Sequence, residues 1–232
     1  MIFYAPNITS EFTLSEEESS HAVRVLRLQA GDEIDIVDGV GGFYKAVITN
    51  PHPKHCEFEI KESTLEFGKR DYKLHIAIAP TKNIERLEWF VEKCTEIGID
   101  EITPIICRFS ERKIIKPERI EKIIVSAAKQ SLKAYFPKLN PMISFNDFFK
   151  KYNSQMQFIA HCYEGEKPLL QHAYKQSSDC IIMIGPEGDF SLEEVNKAVS
   201  EGFQPISLGN SRLRTETAGI AACHTIAILN NA

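Results

Sequence analysis

The chain has 232 residues, of which 43% are hydrophobic and 25% charged, with a formal net charge of −5. That is enough for one large domain or two modest ones with a substantial core, in the composition of an ordinary soluble globular protein. No run approaches the ~18 apolar residues of a membrane span, and Met1-Ile2-Phe3-Tyr4-Ala5-Pro6 lacks a basic-then-apolar leader, so a cytoplasmic protein with no membrane partner is expected.

Ser15-Glu16-Glu17-Glu18 has the form of a capping box and predicts a helix running to about Leu28, with Gly31 beyond its end. Residues 32–38 and 56–61 alternate polar and apolar side chains. Between them, after the turn signal Asp38-Gly39-Val40-Gly41-Gly42, residues 43–49 predict a third strand. One helix with several short strands over residues 1–70 predicts a small β-barrel, bounded by the polar stretch 66–71.

From residue 72 the pattern changes to alternating strands and helices. Strands are predicted over 74–79, 102–107, 158–162, 180–184 and 205–208. A helix over 83–97 buries Ile84, Leu87, Phe90, Val91 and Cys94 and stops at Gly98. Pro117 opens another, with Ile120, Ile123, Ile124, Ala127, Ala128 and Ser131 on one stripe. Helices over 192–201 and 216–229 complete the chain. The alternation predicts an α/β domain over residues 71–232 with a mainly parallel sheet.

The six cysteines include no Cys-x-x-Cys pair, and Cys94, Cys180 and Cys223 sit in apolar runs, so buried free thiols are expected rather than a disulfide framework. His52-Pro53-Lys54-His55-Cys56 carries ligand-type residues between prolines and reads as a surface turn, so no metal is expected. His161 and Cys162 end a predicted strand; they read as core or loop residues, with an approach to a site as the other reading.

Two strand-loop-helix corners carry the most chemistry. In Ile184-Gly185-Pro186-Glu187-Gly188-Asp189, the glycines remove side chains where a ligand could approach the backbone, and Pro186 stiffens the turn. Ser191 and Glu194 then form a second capping box. The pattern is neither a dinucleotide fingerprint nor a phosphate-binding loop. The second corner, Leu208-Gly209 followed by Arg212-Leu213-Arg214-Thr215-Glu216-Thr217-Ala218, puts two guanidiniums and two hydroxyls at a helix start. A capping role suits the threonines, a dipole role suits Glu216, and the arginines suit RNA phosphates or an anionic substrate group. Other basic residues cluster at Arg24 and Arg27, Lys82 and Arg86, Arg108, Arg112 and Lys113, and Lys129 and Lys133. Each cluster fits either a solvated face or an RNA contact.

The two corners resemble the late motifs of the SPOUT class of S-adenosyl-L-methionine-dependent methyltransferases, and within it the family that methylates N3 of a uridine in 16S ribosomal RNA. Arg24-Val25-Leu26-Arg27 with Gly31-Asp32 resembles that family's N-terminal PUA-like RNA-binding domain. Lys93-Cys94-Thr95-Glu96-Ile97-Gly98 with Ile102-Thr103-Pro104 resembles its first helix and following strand. The resemblance spans nearly the whole chain. It implies a PUA-like domain over 1–70, a trefoil-knotted methyltransferase domain over 71–232, and a homodimer acting on 16S ribosomal RNA or the small ribosomal subunit. It places S-adenosyl-L-methionine against Ile184, Gly185, Pro186, Glu187, Gly188, Leu208, Gly209, Leu213, Arg214, Thr215, Glu216, Thr217 and Ala218. It assigns RNA contacts to Arg24, Arg27, Lys82, Arg86, Arg108, Lys129 and Lys133. Asp189 stands where the family commonly has a further glycine, and Lys129 and Lys133 where it more often has Glu and Arg.

Methylation at N3 requires loss of a weakly acidic proton, and the resulting anion spreads over N3, O2 and O4. Arg212 or Arg214 is expected to stabilise that anion, and a helix start makes Glu216 a poorer candidate for the base. N3 lies on the pairing edge, so the target must be unpaired or extruded. Two other readings remain open: a non-catalytic RNA-binding dimer, and a related methyltransferase acting on another RNA. Cofactor binding separates the first from the enzyme.

Overall fold

Alternation of inward apolar and outward polar side chains builds the first of two units, which comprises Met1–Lys69 and Val125–Phe136. The computed structural model describes residues 2–231. Strands β1 (Ile2–Tyr4), β2 (Glu33–Val37), β3 (Phe43–Asn50) and β4 (Glu57–Thr64) form a four-stranded sheet in that order. β1 is parallel to β2, and the other pairs are antiparallel. Ile34, Ile36, Tyr44, Ala46, Ile48 and Phe58 point into a core with Phe3, Ile8 and Leu14. Leu14 N–H donates to the Cys56 carbonyl at 2.9 Å and Phe58 N–H to the Phe12 carbonyl at 3.0 Å. The segment that leaves β1 at one edge of the sheet thus borders β4 at the other.

The helix expected from Ser15 to Leu28 is shorter and changes type. α1 covers Glu16–Ser20, and His21–Val25 continues as a π-helical turn in which Leu26 N–H reaches the His21 carbonyl. Arg27 then takes a positive φ of 58° and ends the run. Only half of the expected capping box forms. Ser15 Oγ accepts the Glu18 N–H at 3.3 Å, but the Glu18 carboxylate turns instead to the Lys129 ammonium. Both of those side chains are largely shielded, where an opposite charge holds a carboxylate better than an exposed backbone N–H does.

In the second unit, Arg70–Ile124 with Pro137–Ala232, β5 (Leu74–Ile78) and β10 (Cys180–Ile184) are buried at every residue. Continuous apolar strands of this kind need helices on both faces. The seven-stranded sheet is parallel, in the order β11-β9-β10-β5-β6-β7, with β8 also on β6. Here β6 is Glu101–Ile106, β7 Lys138–Leu139, β8 Ile143–Ser144, β9 Met156–Ala160 and β11 Gln204–Ile206. One face carries α4 (Phe145–Lys151) and α6 (Leu192–Ser200), packed through Phe145, Phe148, Val195 and Ala198 against Ala77, Ile159, Ile181 and Met183. On the other, α2 (Ile84–Ile97) packs against α7 (Thr215–Asn231), which also lies on β5 and β10. A Cβ at Gly219 would fall 2.5 Å from the Phe90 ring, so that glycine lets the two helices approach.

Asn83 caps α2, whose buried face is Leu87, Phe90, Val91, Cys94 and Thr95, with Ile84 half-buried. α3 (Pro117–Gln130) buries Ile120, Ile124, Ala127 and Ala128, while Ile123 and Ser131 are half-buried. β1, β7, β8, α4 and the one-turn α5 (Leu170–Ala173) were not expected. Two strands end two residues earlier than expected, β9 at Ala160 and β11 at Ile206, while β2, β5 and β6 each end one residue early. His161, Cys162 and Leu208 therefore lie in loops.

Candidate active site

Parallel strands release their C-terminal loops at one end of the sheet, and β9, β10 and β11 are neighbours there. After β10, Gly185 and Pro186 are buried and the chain turns through Glu187, Gly188 and Asp189 into α6. The Ser191–Glu194 capping box forms in both directions: Ser191 Oγ accepts the Glu194 N–H at 3.2 Å, and Glu194 Oε2 accepts the Ser191 N–H at 2.8 Å. Glu187 Oε1 accepts the Lys82 N–H at 2.9 Å, which ties this corner to the loop after β5. In the second corner Gly209 takes a φ of +123°, a conformation open to glycine. The Thr215 hydroxyl donates to the Gly185 carbonyl at 3.0 Å and joins the two corners.

The glycines of the first corner serve the protein's own packing. A Cβ at Gly185 would lie 3.0 Å from the Phe190 ring, and one at Gly188 would lie 3.1 Å from Phe109 Cβ.

A third loop, after β9, joins the corners. Cys162 N–H donates to Asp189 Oδ2 at 2.7 Å, and Tyr163 Oη donates to the Phe190 carbonyl at 2.7 Å. Lys167 folds back on its own loop: Nζ donates to the carbonyls of His161, at 3.1 Å, and Tyr163, and lies 3.4 Å from His161 Nδ1. Burial, and then the Lys167 charge, lower the His161 pKa below its usual value. Burial, and then Asp189, raise that of the Cys162 thiol, so it is a poor nucleophile.

Two adjoining cavities open among these loops, of about 580 and 330 Å³. The smaller is lined by Ile184, Gly185, Pro186, Glu187, Arg214 and Thr215, and the larger by Gly188, Leu208 and Gly209. Leu213 and Ala218 lie on both. Glu216 and Thr217 line neither. Glu216 is buried, with Oε1 3.8 Å from Arg86 Nε and Oε2 without a hydrogen-bond partner among the described residues. Beyond the residues expected from sequence, Ala160, His161, Cys162, Tyr163, Lys167, Asp189, Ile206, Ser207, Asn210 and Ser211 also line the larger cavity. For the loop after β9, the available signal was the pair His161-Cys162 at a strand end in a parallel sheet.

Arg212 lines both cavities and Arg214 the smaller; both are exposed and, among the described residues, neither guanidinium has a protein partner. The other basic residues are dispersed. Arg24 and Arg27 are exposed on the first unit, also without partners among the described residues. Lys82 pairs with Glu111 at 2.8 Å and Arg108 with Glu193 at 3.2 Å, while Lys133 is half-buried. Lys129 is turned into its pair with Glu18, over the Phe3 ring, and is not presented to solvent as Arg24 and Arg27 are. Among the described residues no group of histidine, cysteine and carboxylate side chains is placed to hold a metal ion, and no helix is long and apolar enough to cross a membrane.

The chain belongs to the RNA methyltransferases, as two domain matches show. The RNA methyltransferase domain family matches residues 69–227, and the RNA methyltransferase PUA domain matches residues 14–61. Ribosomal RNA small subunit methyltransferase E of Synechocystis sp. is 30% identical over 224 residues, which cover 93% of this chain and 72% of the relative. The chain belongs to the ribosomal RNA small subunit methyltransferase E family. A solved structure described as a probable rRNA-methyltransferase from Porphyromonas gingivalis is 43% identical, with a TM-score of 0.94 over 99% of this chain and 98% of that one. The Neisseria gonorrhoeae ribosomal RNA small subunit methyltransferase E, solved bound to S-adenosyl methionine, is 26% identical with a TM-score of 0.85, covering 99% of this chain and 97% of that one.

Proposed function

We propose that this protein methylates N3 of one uridine in 16S ribosomal RNA, with S-adenosyl-L-methionine as the donor. The observation that carries this reading is the pair of adjoining cavities between the corners, sharing Ala160, Leu213 and Ala218 as walls and flanked by the guanidiniums of Arg212 and Arg214, unpaired among the described residues. Its mixed apolar and polar lining suits a molecule with an adenine ring at one end and charged groups at the other. Residues 184–188, 208–209 and 213–215 with Ala218 would hold it. When bound, the donor supplies an electrophilic methyl group on a sulfonium.

The protein's own residues then have three tasks. The Thr215–Gly185 bond and the Glu187–Lys82 bond fix the corners so that donor and base meet in one geometry. Arg212 and Arg214 stabilise the negative charge that develops on the uracil ring as the N3 proton leaves. Arg24 and Arg27 on the first unit, and Arg86 and Arg108 on the second, supply phosphate contacts, the latter two at the cost of their pairs with Glu216 and Glu193. Glu216, buried and against Arg86, serves α7 and not proton transfer.

Residues 1–70 are assigned to RNA capture and 71–232 to methyl transfer. The resemblance also supports a trefoil knot through the loops after β9, β10 and β11, and a cytoplasmic dimer. For the dimer, α2 and α7 leave Trp89 and Ile228 exposed, and sedimentation at twice the chain mass is the expected outcome. The decisive experiment maps methylated nucleosides in ribosomal RNA from cells lacking this protein, with and without complementation. The expected result is loss of one 3-methyluridine in 16S ribosomal RNA, restored on complementation. No loss would overturn the assignment.

A further inference from the structure

Asp189 takes a φ of +67°, in the left-handed region where few residues other than glycine, asparagine and aspartate settle. Its carboxylate is held from two sides: Oδ2 accepts the Cys162 N–H at 2.7 Å, and Oδ1 accepts the Phe190 N–H at 2.8 Å. These bonds place it on the wall common to both cavities, with Cys162, Arg212 and Leu213. Among the described residues no cationic side chain forms an ion pair with it. The ammonium of Lys167, which lines only the larger cavity, is engaged with His161 and Tyr163, and the exposed Arg212 guanidinium on the shared wall forms no ion pair with Asp189 among the described residues. A carboxylate fixed by backbone donors and left without a counter-ion beside a cavity favours a cationic guest.

We propose that Asp189 recognises the positive sulfur of the methyl donor, and so sets the preference of the site for donor over demethylated product; the proposal rests on the function given above. The two molecules differ by one methyl group and by the charge on sulfur. An apolar wall registers only the methyl group, whereas a fixed carboxylate registers the charge, and at a part-buried site it does so with little screening. Asp189 acts on binding and takes no proton. A merely structural role, tying the loop after β9 to the first corner, would affect both ligands alike.

The test is calorimetric binding of S-adenosylmethionine, S-adenosylhomocysteine and sinefungin to the wild-type protein, Asp189→Asn and Asp189→Gly. Asparagine tolerates the backbone conformation and removes the charge; glycine suits the conformation best, and circular dichroism verifies that both variants fold. Sinefungin carries a protonated amine in place of the sulfonium and transfers no methyl group. Each variant is expected to lower the ratio of donor to product affinity by about five- to tenfold, with sinefungin following the donor. Equal weakening of all three ligands, or no change, would overturn the proposal while leaving the function intact. Failure of the wild-type protein to bind any of them would overturn the function and, with it, this inference.

Discussion

The Thr215 hydroxyl and the Gly185 carbonyl, both buried, meet at 3.0 Å across the two corners of the site. One residue opens α7 and the other begins the turn after β10, so this bond ties together the two loops that line the smaller cavity. Thr215→Val keeps the shape and removes the donor, leaving a buried carbonyl unsatisfied. The expected cost is about 1–3 kcal/mol in urea unfolding, with weaker donor binding. A change below about 0.5 kcal/mol would mean that the carbonyl finds another partner.

Arg212→Ala and Arg214→Ala test the electrostatic part of the mechanism. If either guanidinium stabilises the uracil anion, its removal lowers kcat on ribosomal RNA by about 100-fold. The donor Kd stays within about threefold in Arg212→Ala, and rises further in Arg214→Ala, because Arg214 also lines the donor pocket. Single-turnover rates together with calorimetry separate the two quantities. Wild-type turnover in both variants would remove the arginines from the chemistry.

Lys129 and the pair Arg24 and Arg27 are expected to behave in opposite ways. The Lys129 and Glu18 side chains are only 23% and 10% exposed, so Lys129→Ala strands a shielded carboxylate and should cost about 2–4 kcal/mol of stability. Replacing Arg24 and Arg27 by alanine should leave stability within about 0.5 kcal/mol. It should also reduce the salt dependence of RNA binding by about 1–2 units of log–log slope. Filter binding over a salt series and urea unfolding of the same variants check both halves.

His75 supplies a pH dependence away from the site. Burial, with a further contribution from Lys138, lowers its pKa to about 4, against the opposing pull of Glu101, and Nε2 lies 2.7 Å from Thr103 Oγ1. The unfolded chain binds this proton near the ordinary histidine value of about 6.5, so folding favours the neutral ring. The stabilisation is complete above that pH and is lost as pH falls towards 4, at up to about 1.4 kcal/mol per unit. Urea unfolding at pH 7, 5.5 and 4.5 should show this slope in the wild-type protein and a shallower one in His75→Gln. Equal slopes would assign the acid sensitivity to other groups.

Local chemistry made much of this legible. β10 falls on the residues expected from its apolar run, and Asn83 and Gly98 bracket α2 as capping rules require. The Ser191–Glu194 box forms in full, with Glu194 Oε2 on the Ser191 N–H and Oε1 on the Arg108 N–H. The equivalent box at Ser15 forms only in half, because Lys129, more than a hundred residues away in sequence, takes the Glu18 carboxylate. Short elements escaped notice, yet α4 carried a readable start: Ser144 Oγ accepts the Asp147 N–H at 3.1 Å, with Phe145 and Phe148 behind it.

The sequence by itself determined the α/β alternation, the two corners and the residue types at the site, because each depends on neighbours a few positions apart. The tertiary structure decided which loops meet. Parallel strand order brings the loop after β9 beside the corners, and with it His161, Lys167 and the Cys162–Asp189 bond. It also decided which charges are free: among the described residues Arg212 and Arg214 stay unpaired, Lys129 is turned inward to Glu18, and Asp189 faces the cavity without an ion-pair partner. Those outcomes depend on long-range contacts and on shielding from water, and neither is written in local spacing.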